Sequence, residues 1–392
     1  MNLNYFIWMV LAGLTFTVPA HGVEPPSPAA TVAPKKPLLL AFYHPWYSTP
    51  WGPTGKWHKW DSFKFPERYH PEHITKAGRH DIATADYPLI GPYDTSDPEI
   101  VRWHFRLAKA AGLDGFLCSW WQIGAGDPYF AHQYELFEKV WLPVAEQEHF
   151  KIAVIDECAH YVRDYGELLS RITNSLPRYA KSPAYLRING QPVWYIYQVW
   201  EDWLTPELAE QYVTEAERQV GDVYWMFDKL KATAINQAPG AVLSVPPKWL
   251  AIKKIDCFGT YSLFGNWRET EPRALSLLYQ GFAQYIHGAG KEVELPILPG
   301  HDNTAVNETP YVVARKEGAV LEAFCRAVDA AKPDVAVVCS FNEWFEMTEV
   351  EPSSTWPDPY LYLKLLAQWR GKKWEVPPLP PKASLEPGMK VH

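Results

Sequence analysis

DVAVVCSF, residues 334–341, is an almost unbroken apolar run that leads straight into Asn342-Glu343-Trp344-Phe345-Glu346. A strand covered on both faces reads this way, whereas a sheet with one wet face alternates apolar and polar residues. Working outward, seven more such runs precede it: LLLAFYH (38–44), LDGFLCSW (113–120), KIAVIDE (151–157), QPVWYIYQ (191–198), the weaker VYWMF (223–227), IDCFGTYS (255–262) and VELPILPG (293–300). Amphipathic stretches lie between them. Asp97-Pro98-Glu99 and Thr205-Pro206-Glu207 each set a capping side chain, a first-turn proline and an acid in order, the pattern of a helix start. Gly112 ends the first helix, and further helices are expected near 130–148, 164–180, 272–288, 315–331 and 358–370. This alternation predicts an α/β fold, a single (β/α)8 TIM-type barrel with long βα loops. An open doubly wound sheet is the alternative. No GxGxxG or GxxxxGK[ST] follows the first strand, which removes its usual nucleotide-binding version.

The chain has 392 residues, with 37 Lys+Arg against 45 Asp+Glu, a net charge of −8. Acidic balance without a basic cluster disfavours a nucleic-acid partner. Its 19 Trp, 22 Tyr and 17 Phe are many, and flat rings stack on sugars as well as on bases. A glycan is therefore the expected partner. Residues 3–18 are apolar and uncharged, and Val18-Pro19-Ala20 offers small residues for cleavage, so 1–20 reads as a signal peptide for export to the periplasm or medium. The run is short of the ~20 residues of a membrane span, so no stable membrane insertion is expected after cleavage. Residues 21–37 read as a Pro/Ala-rich leader, 38–376 as the barrel domain and 377–392 as an exposed Pro-rich tail. The five cysteines form no CxxC pair. Four sit in apolar runs as small buried hydrophobes, and one bridge stays open.

A TIM-type barrel carries its chemistry on the loops that leave the C-terminal ends of the strands. Those ends collect Tyr43, His44, Trp46 and Tyr47; Ser119, Trp120 and Trp121; Asp156 and Glu157; Gln198; Tyr261; His301 and Asp302; and Asn342, Glu343 and Glu346. Packing or loop capping accounts for each alone. Together they describe an aromatic cleft with acid/base groups. Glu343-x-x-Glu346 is the sharpest element. Glycoside cleavage needs one group to protonate the leaving oxygen and another to supply electrons or take a proton, and neighbouring acids in an aromatic pocket hold separated pKa values. His70-x-x-His73 with His80 lacks the fixed geometry of a metal site, so no metal is expected. The absence of GxSxG removes the serine-hydrolase reading.

With these motifs assembled, the chain resembles glycoside hydrolase family 99, the endo-α-1,2-mannosidases and endo-α-mannanases. FYHPWY (42–47), YPLIGPYDTSDP (87–98), LCSWW (117–121), LPGHDNT (298–304) and FNEWFE (341–346) followed by Glu351-Pro352 carry the likeness, with Tyr47 and His58 at the family's spacing. The resemblance implies a retaining, endo-acting hydrolase of α-mannan or another mannose-containing glycan, with no cofactor and no metal. It implies Glu343 as general base on the substrate's 2-hydroxyl, giving a 1,2-anhydro sugar, and Glu346 as general acid, then base for water. It implies substrate contacts from Asn342, Tyr47, His58 and Tyr261, and looser ones from Trp120 and Glu157. Phe345, Met347 and Glu349 depart from the family pattern, and HDNTAVNETP (301–310) lacks an expected Arg. A non-catalytic glycan-binding barrel, or a hydrolase of a different α-linked polysaccharide, is the rival expectation.

Overall fold

The computed structural model describes residues 36–62, 64–121, 135–157, 162–199, 203–229, 231–232, 243–263 and 272–388. The expected signal peptide, nearly all of the leader and Cys158 lie outside the described residues.

Eight parallel strands close into a barrel: β1 (Leu38–Tyr43), β2 (Gly115–Trp120), β3 (Lys151–Asp156), β4 (Gln191–Ile196), β5 (Tyr224–Asp228), β6 (Ile255–Gly259), β7 (Glu292–Ile297) and β8 (Val335–Val338). Each pairs with its sequence neighbours. β1 pairs with β8, with Leu38 opposite Val335, and β3 pairs with β4, so no edge is left. The eight expected runs coincide with these eight strands, most of them trimmed at their ends, with β5 and β7 shifted by one residue at Asp228 and Glu292.

Helices α1 (Pro98–Ala111), α2 (Leu142–Glu148), α3 (Tyr165–Tyr179), α4 (Pro206–Val220), α5 (Pro272–Gly288), α6 (Ala319–Ala331) and α7 (Leu361–Trp369) follow the strands. The start signals act as read. The Asp97 carboxylate accepts from Glu99 N at 2.8 Å, and the Thr205 hydroxyl from Leu208 N at 3.2 Å. Gly112 ends α1 at φ 87°, a left-handed conformation open to glycine at little cost. A π-type turn, Phe137–Trp141, precedes α2, and a single helical turn, Pro247–Leu250, stands between β5 and β6.

Side-chain alternation along β1 shows how the wall is used. Phe42 meets Tyr195 and Tyr261 inside, while Tyr43 turns outward to His104 of α1. Cys118, Cys257, Cys325 and Cys339 are free, buried thiols. Among the described residues, no helix is long and apolar enough to cross a membrane. The tail departs from the expectation of exposure: Ser384 and Leu385 are buried, and Glu386 Oε1 lies 3.1 Å from His80 Nε2.

Candidate active site

The loop leaving β8 carries Ser340 to Glu351 across the C-terminal mouth of the barrel, and hydrogen bonds fix its shape. Ser340 Oγ accepts from Glu343 N at 2.7 Å, and Thr348 N donates back to Glu343 O at 3.2 Å. Phe345 N donates to Glu343 Oε1 at 3.1 Å. Met347 sits at φ 49°, in the left-handed region, where the resemblance anticipates glycine.

Glu343 is buried and Glu346 partly exposed, in a deep cleft. Burial, then the charge of Glu346, hold the Glu343 carboxyl well above the usual carboxylate range, with Lys59 opposing. Burial raises Glu346 to about 7. Across the cleft, Glu157 at the end of β3 is raised to about 7, first by burial, against a hydrogen bond from Ser119 and the charge of Lys59. Three carboxyl groups thus share a pocket with one ammonium group. Like charges this close cannot all ionise in low dielectric, so the cluster retains protons at neutral pH.

The expected substrate contacts divide. Tyr261 is partly exposed, stacks on Phe42 at 4.6 Å and meets His44 Nε2 at 3.2 Å through its hydroxyl. Tyr47 is fully buried, and its hydroxyl accepts from Trp344 N at 3.1 Å, so it holds the catalytic turn. His58 Nδ1 is tied to the Trp46 carbonyl at 3.0 Å, and the backbone of His58 bridges to Ser48.

Two expectations need correction. Asn342 is fully buried: its Oδ1 accepts from His44 N at 2.7 Å, and its Nδ2 donates to His44 O at 3.0 Å and to Tyr93 OH at 3.3 Å. Those bonds use both amide protons, so in this structure Asn342 frames the turn from a buried position. Trp120 is also fully buried and turned away from the cleft. Its ring lies edge-on to Trp194 at 5.5 Å and under the Arg171 guanidinium of α3 at 4.9 Å. A strand alternates its faces, so if Ser119 faces Glu157, Trp120 must face α3. The partly exposed indole is Trp121, whose Nε1 donates to Ser119 Oγ at 3.2 Å.

Sequence reasoning passed over four groups. Lys59 supplies positive charge to Glu343 and Glu157. Tyr197, not Gln198, faces the acids from the end of β4: it feels Glu157 and Glu346, and Gln198 Nε2 donates to its hydroxyl at 2.9 Å. Tyr93 and Glu351 form a buried brace, with Tyr93 OH donating to Glu351 Oε2 at 2.6 Å and Trp344 Nε1 reaching the same oxygen at 3.1 Å. Glu351 Oε1 in turn lies 3.2 Å from His104 Nε2. Only the last pair left a written signal, in YPLIGPYDTSDP and in Glu351-Pro352. Among the described residues no group of three His, Cys, Asp or Glu is arranged to hold a metal ion.

Downstream of HDNTAVNETP, Arg315 crosses to the far end of the turn that follows β8, donating to Met347 O and Glu349 O at 2.9 Å and to Glu349 Oε1 at 2.5 Å.

Comparison with known proteins gives the same direction. The sequence profile of glycosyl hydrolase family 99 matches residues 34–221. The human glycoprotein endo-alpha-1,2-mannosidase-like protein is 24% identical over 373 residues, covering 84% of this chain and 74% of the relative. The mouse glycoprotein endo-alpha-1,2-mannosidase is 23% identical over 369 residues, covering 86% and 74%. The solved GH99 endo-alpha-mannosidase of Bacteroides thetaiotaomicron superposes with a TM-score of 0.65 at 21% identity, covering 85% of this chain and 96% of that one, a likeness of fold. The family profile over residues 34–221 and relatives that match over most of the chain agree with the resemblance read from the motifs, so the chain is similar to the proteins of glycoside hydrolase family 99.

Proposed function

We propose that this protein is an exported, retaining, endo-acting α-mannosidase that cleaves internal α-mannosidic linkages with the help of the substrate's own 2-hydroxyl. The observation that carries the reading is the placement of Glu343 and Glu346 three residues apart on the turn that leaves β8, where burial raises both carboxyl groups. Such a pair exchanges a proton at neutral pH, as general acid–base chemistry requires.

The substrate settles where that proton resides. A 2-hydroxyl beside Glu343 needs an acceptor, and a glycosidic oxygen beside Glu346 needs a donor. Sugar binding therefore selects Glu343 as the carboxylate and Glu346 as the acid. Glu343 takes the 2-hydroxyl proton while O2 bonds to C1. The C1–leaving-oxygen bond breaks, and that oxygen takes the Glu346 proton. The product is a 1,2-anhydro sugar. Water then gives a proton to Glu346 and bonds to C1, the C1–O2 bond opens, and O2 recovers its proton from Glu343. Two inversions at C1 give net retention. Substrate assistance of this kind is a known departure from the two-carboxylate scheme. An α-mannoside suits it, since its axial 2-hydroxyl lies trans to the leaving group. The relatives named for endo-α-mannosidase activity support the substrate class, and the apolar run at 3–18 supports export.

The test is hydrolysis of α-mannans and mannosides followed by proton NMR. Oligosaccharide release with the α-anomer formed first is expected, reduced by roughly a thousandfold or more in Glu343→Gln and Glu346→Gln. Binding across a glycan panel without turnover, or full activity in either variant, overturns the reading. Amino-terminal sequencing of the exported protein, with Ala20 as the last residue removed, tests export.

A further inference from the structure

His44 leaves the end of β1 beside the candidate base, and no role has yet fallen to it. Its main chain cannot swing, because Asn342 grips both His44 N and His44 O. Its ring packs on Trp46 at 4.6 Å. One ring nitrogen, Nδ1, lies 3.4 Å from Glu343 Oε2, and the other, Nε2, lies 3.2 Å from Tyr261 OH. Burial pushes the imidazole down to about 3, so it is neutral throughout the working range and carries a single N–H.

We propose that His44, protonated on Nδ1, is the positioning residue of Glu343: it turns an N–H toward Glu343 Oε2, with the Tyr261 hydroxyl at Nε2. The Tyr261 hydroxyl can donate or accept and so serves either tautomer, whereas the opposite tautomer would aim a lone pair at the Glu343 carboxylate, which is the partner that decides. The 3.4 Å separation is slightly long for a hydrogen bond, and such contacts in sugar-free sites tighten on substrate binding. His44 Nδ1 is buried without a hydrogen-bond partner in this structure; with Phe345 N already on Oε1, a bond from His44 to Oε2 would fix the carboxylate plane at both oxygens and leave the second lone pair of Oε2 for the sugar hydroxyl. The other titratable or charged groups facing Glu343 are Lys59 and Tyr47 from the loop after β1, Glu157 after β3, Tyr261 after β6, Cys339 just past β8 and Glu346 on its own turn. Of the neutral ones, His44 alone joins Glu343 to Tyr261. The kinetic part of this inference rests on the mannosidase reading; the tautomer does not.

Two measurements test it on the full-length protein. Long-range proton–nitrogen NMR of ¹⁵N-histidine-labelled protein, with His44→Asn used for assignment, should show an Nδ1–H tautomer unchanged between pH 5 and 8. An Nε2–H tautomer, or titration near the ordinary histidine value, overturns the proposal. On an α-mannoside, His44→Asn keeps a donor near the place of Nδ1 and should retain kcat within about tenfold. His44→Phe removes the donor and should lose roughly a hundredfold in kcat with KM little changed. Its acidic limb in kcat/KM should move to higher pH, because a carboxylate that loses a donor becomes more basic. Equal losses in both variants with an unmoved acidic limb leave His44 a packing residue and overturn the proposal. If no mannoside is turned over, the function falls, and the tautomer alone still decides for or against His44.

Discussion

Replacing Arg315 by Met should harm the fold more than replacing Arg315 and Glu349 together. Glu349 is fully buried and its partner guanidinium only 13% exposed. Removing the cation strands a carboxylate in the interior, which costs about 3–5 kcal/mol. The carbonyls of Met347 and Glu349 lose their donors as well, at about 1 kcal/mol each. The single variant is therefore expected to lose about 5–7 kcal/mol. In Arg315→Met/Glu349→Leu only the carbonyl losses persist, about 2 kcal/mol, because two apolar groups replace the ion pair. Asp86, the third member, keeps Trp356 Nε1 at 2.9 Å and Thr355 Oγ1 at 2.6 Å and is not stranded. Urea unfolding at pH 7 should then rank the double variant above the single one by about 3–5 kcal/mol. The pH dependence has a definite sign. Burial holds Glu349 well above the usual carboxylate range, and Arg315 pulls it back. Without Arg315 it rises further, so the folded single variant binds a proton that the unfolded chain has released. Its stability is greatest below the unfolded value, near pH 4, and falls as pH climbs toward the folded one. The deficit against wild type should be smaller at pH 5 than at pH 8. A double variant less stable than the single, or a deficit that grows on acidification, would refute the reasoning.

Met347→Gly should be neutral to stabilising by up to about 1 kcal/mol, since relief of the left-handed strain exceeds the added chain entropy; calorimetry showing a loss beyond that would contradict it. Gly259→Ala should unfold or fail to accumulate, because its Cβ would stand 2.7 Å from Glu294 Cβ and closer still to the carboxylate; thermal unfolding near wild type would show that Glu294 can move aside. Glu157→Gln removes a charge that raises Glu343, so the acidic limb of kcat/KM should shift to lower pH, and an unmoved limb would separate Glu157 from the acid cluster. Trp121→Ala should raise KM with little change in melting temperature, while Trp120→Ala should cost about 3–5 kcal/mol of stability; reversed outcomes would exchange their places in the barrel wall.

The barrel was legible because its strands are buried on both faces, so Leu38–Tyr43 and Val335–Val338 carry no alternation to confuse with a half-wet sheet. The turn that carries Glu343 and Glu346 was legible because it follows within a few residues a strand whose end can be read. What a strand end does not reveal is which way its last side chain points. Trp120 and Trp121 are adjacent and alike, and the parity of β2 decides between them. Asn342 differs from its sequence reading for a related reason: a polar residue beside two acids reads as a ligand group, yet its amide closes on His44, just past the end of the neighbouring β1. Lys59 and Tyr93 sit in a long loop without periodicity, where spacing carries no information about where the chain folds back. The tail misled through composition, because proline richness marks irregular backbone without saying whether that backbone lies on something.

It does lie on something. Leu385 is buried, and Glu386 reaches His80, whose ring rests 5.0 Å from Trp57 and 5.4 Å from Trp51. The last stretch of sequence thus acts as a latch on the same loop that delivers Lys59 to the acids. Cutting the gene after residue 376, where sequence composition changes, would leave every strand and helix of the barrel in place and still remove the partner that His80 finds in Glu386.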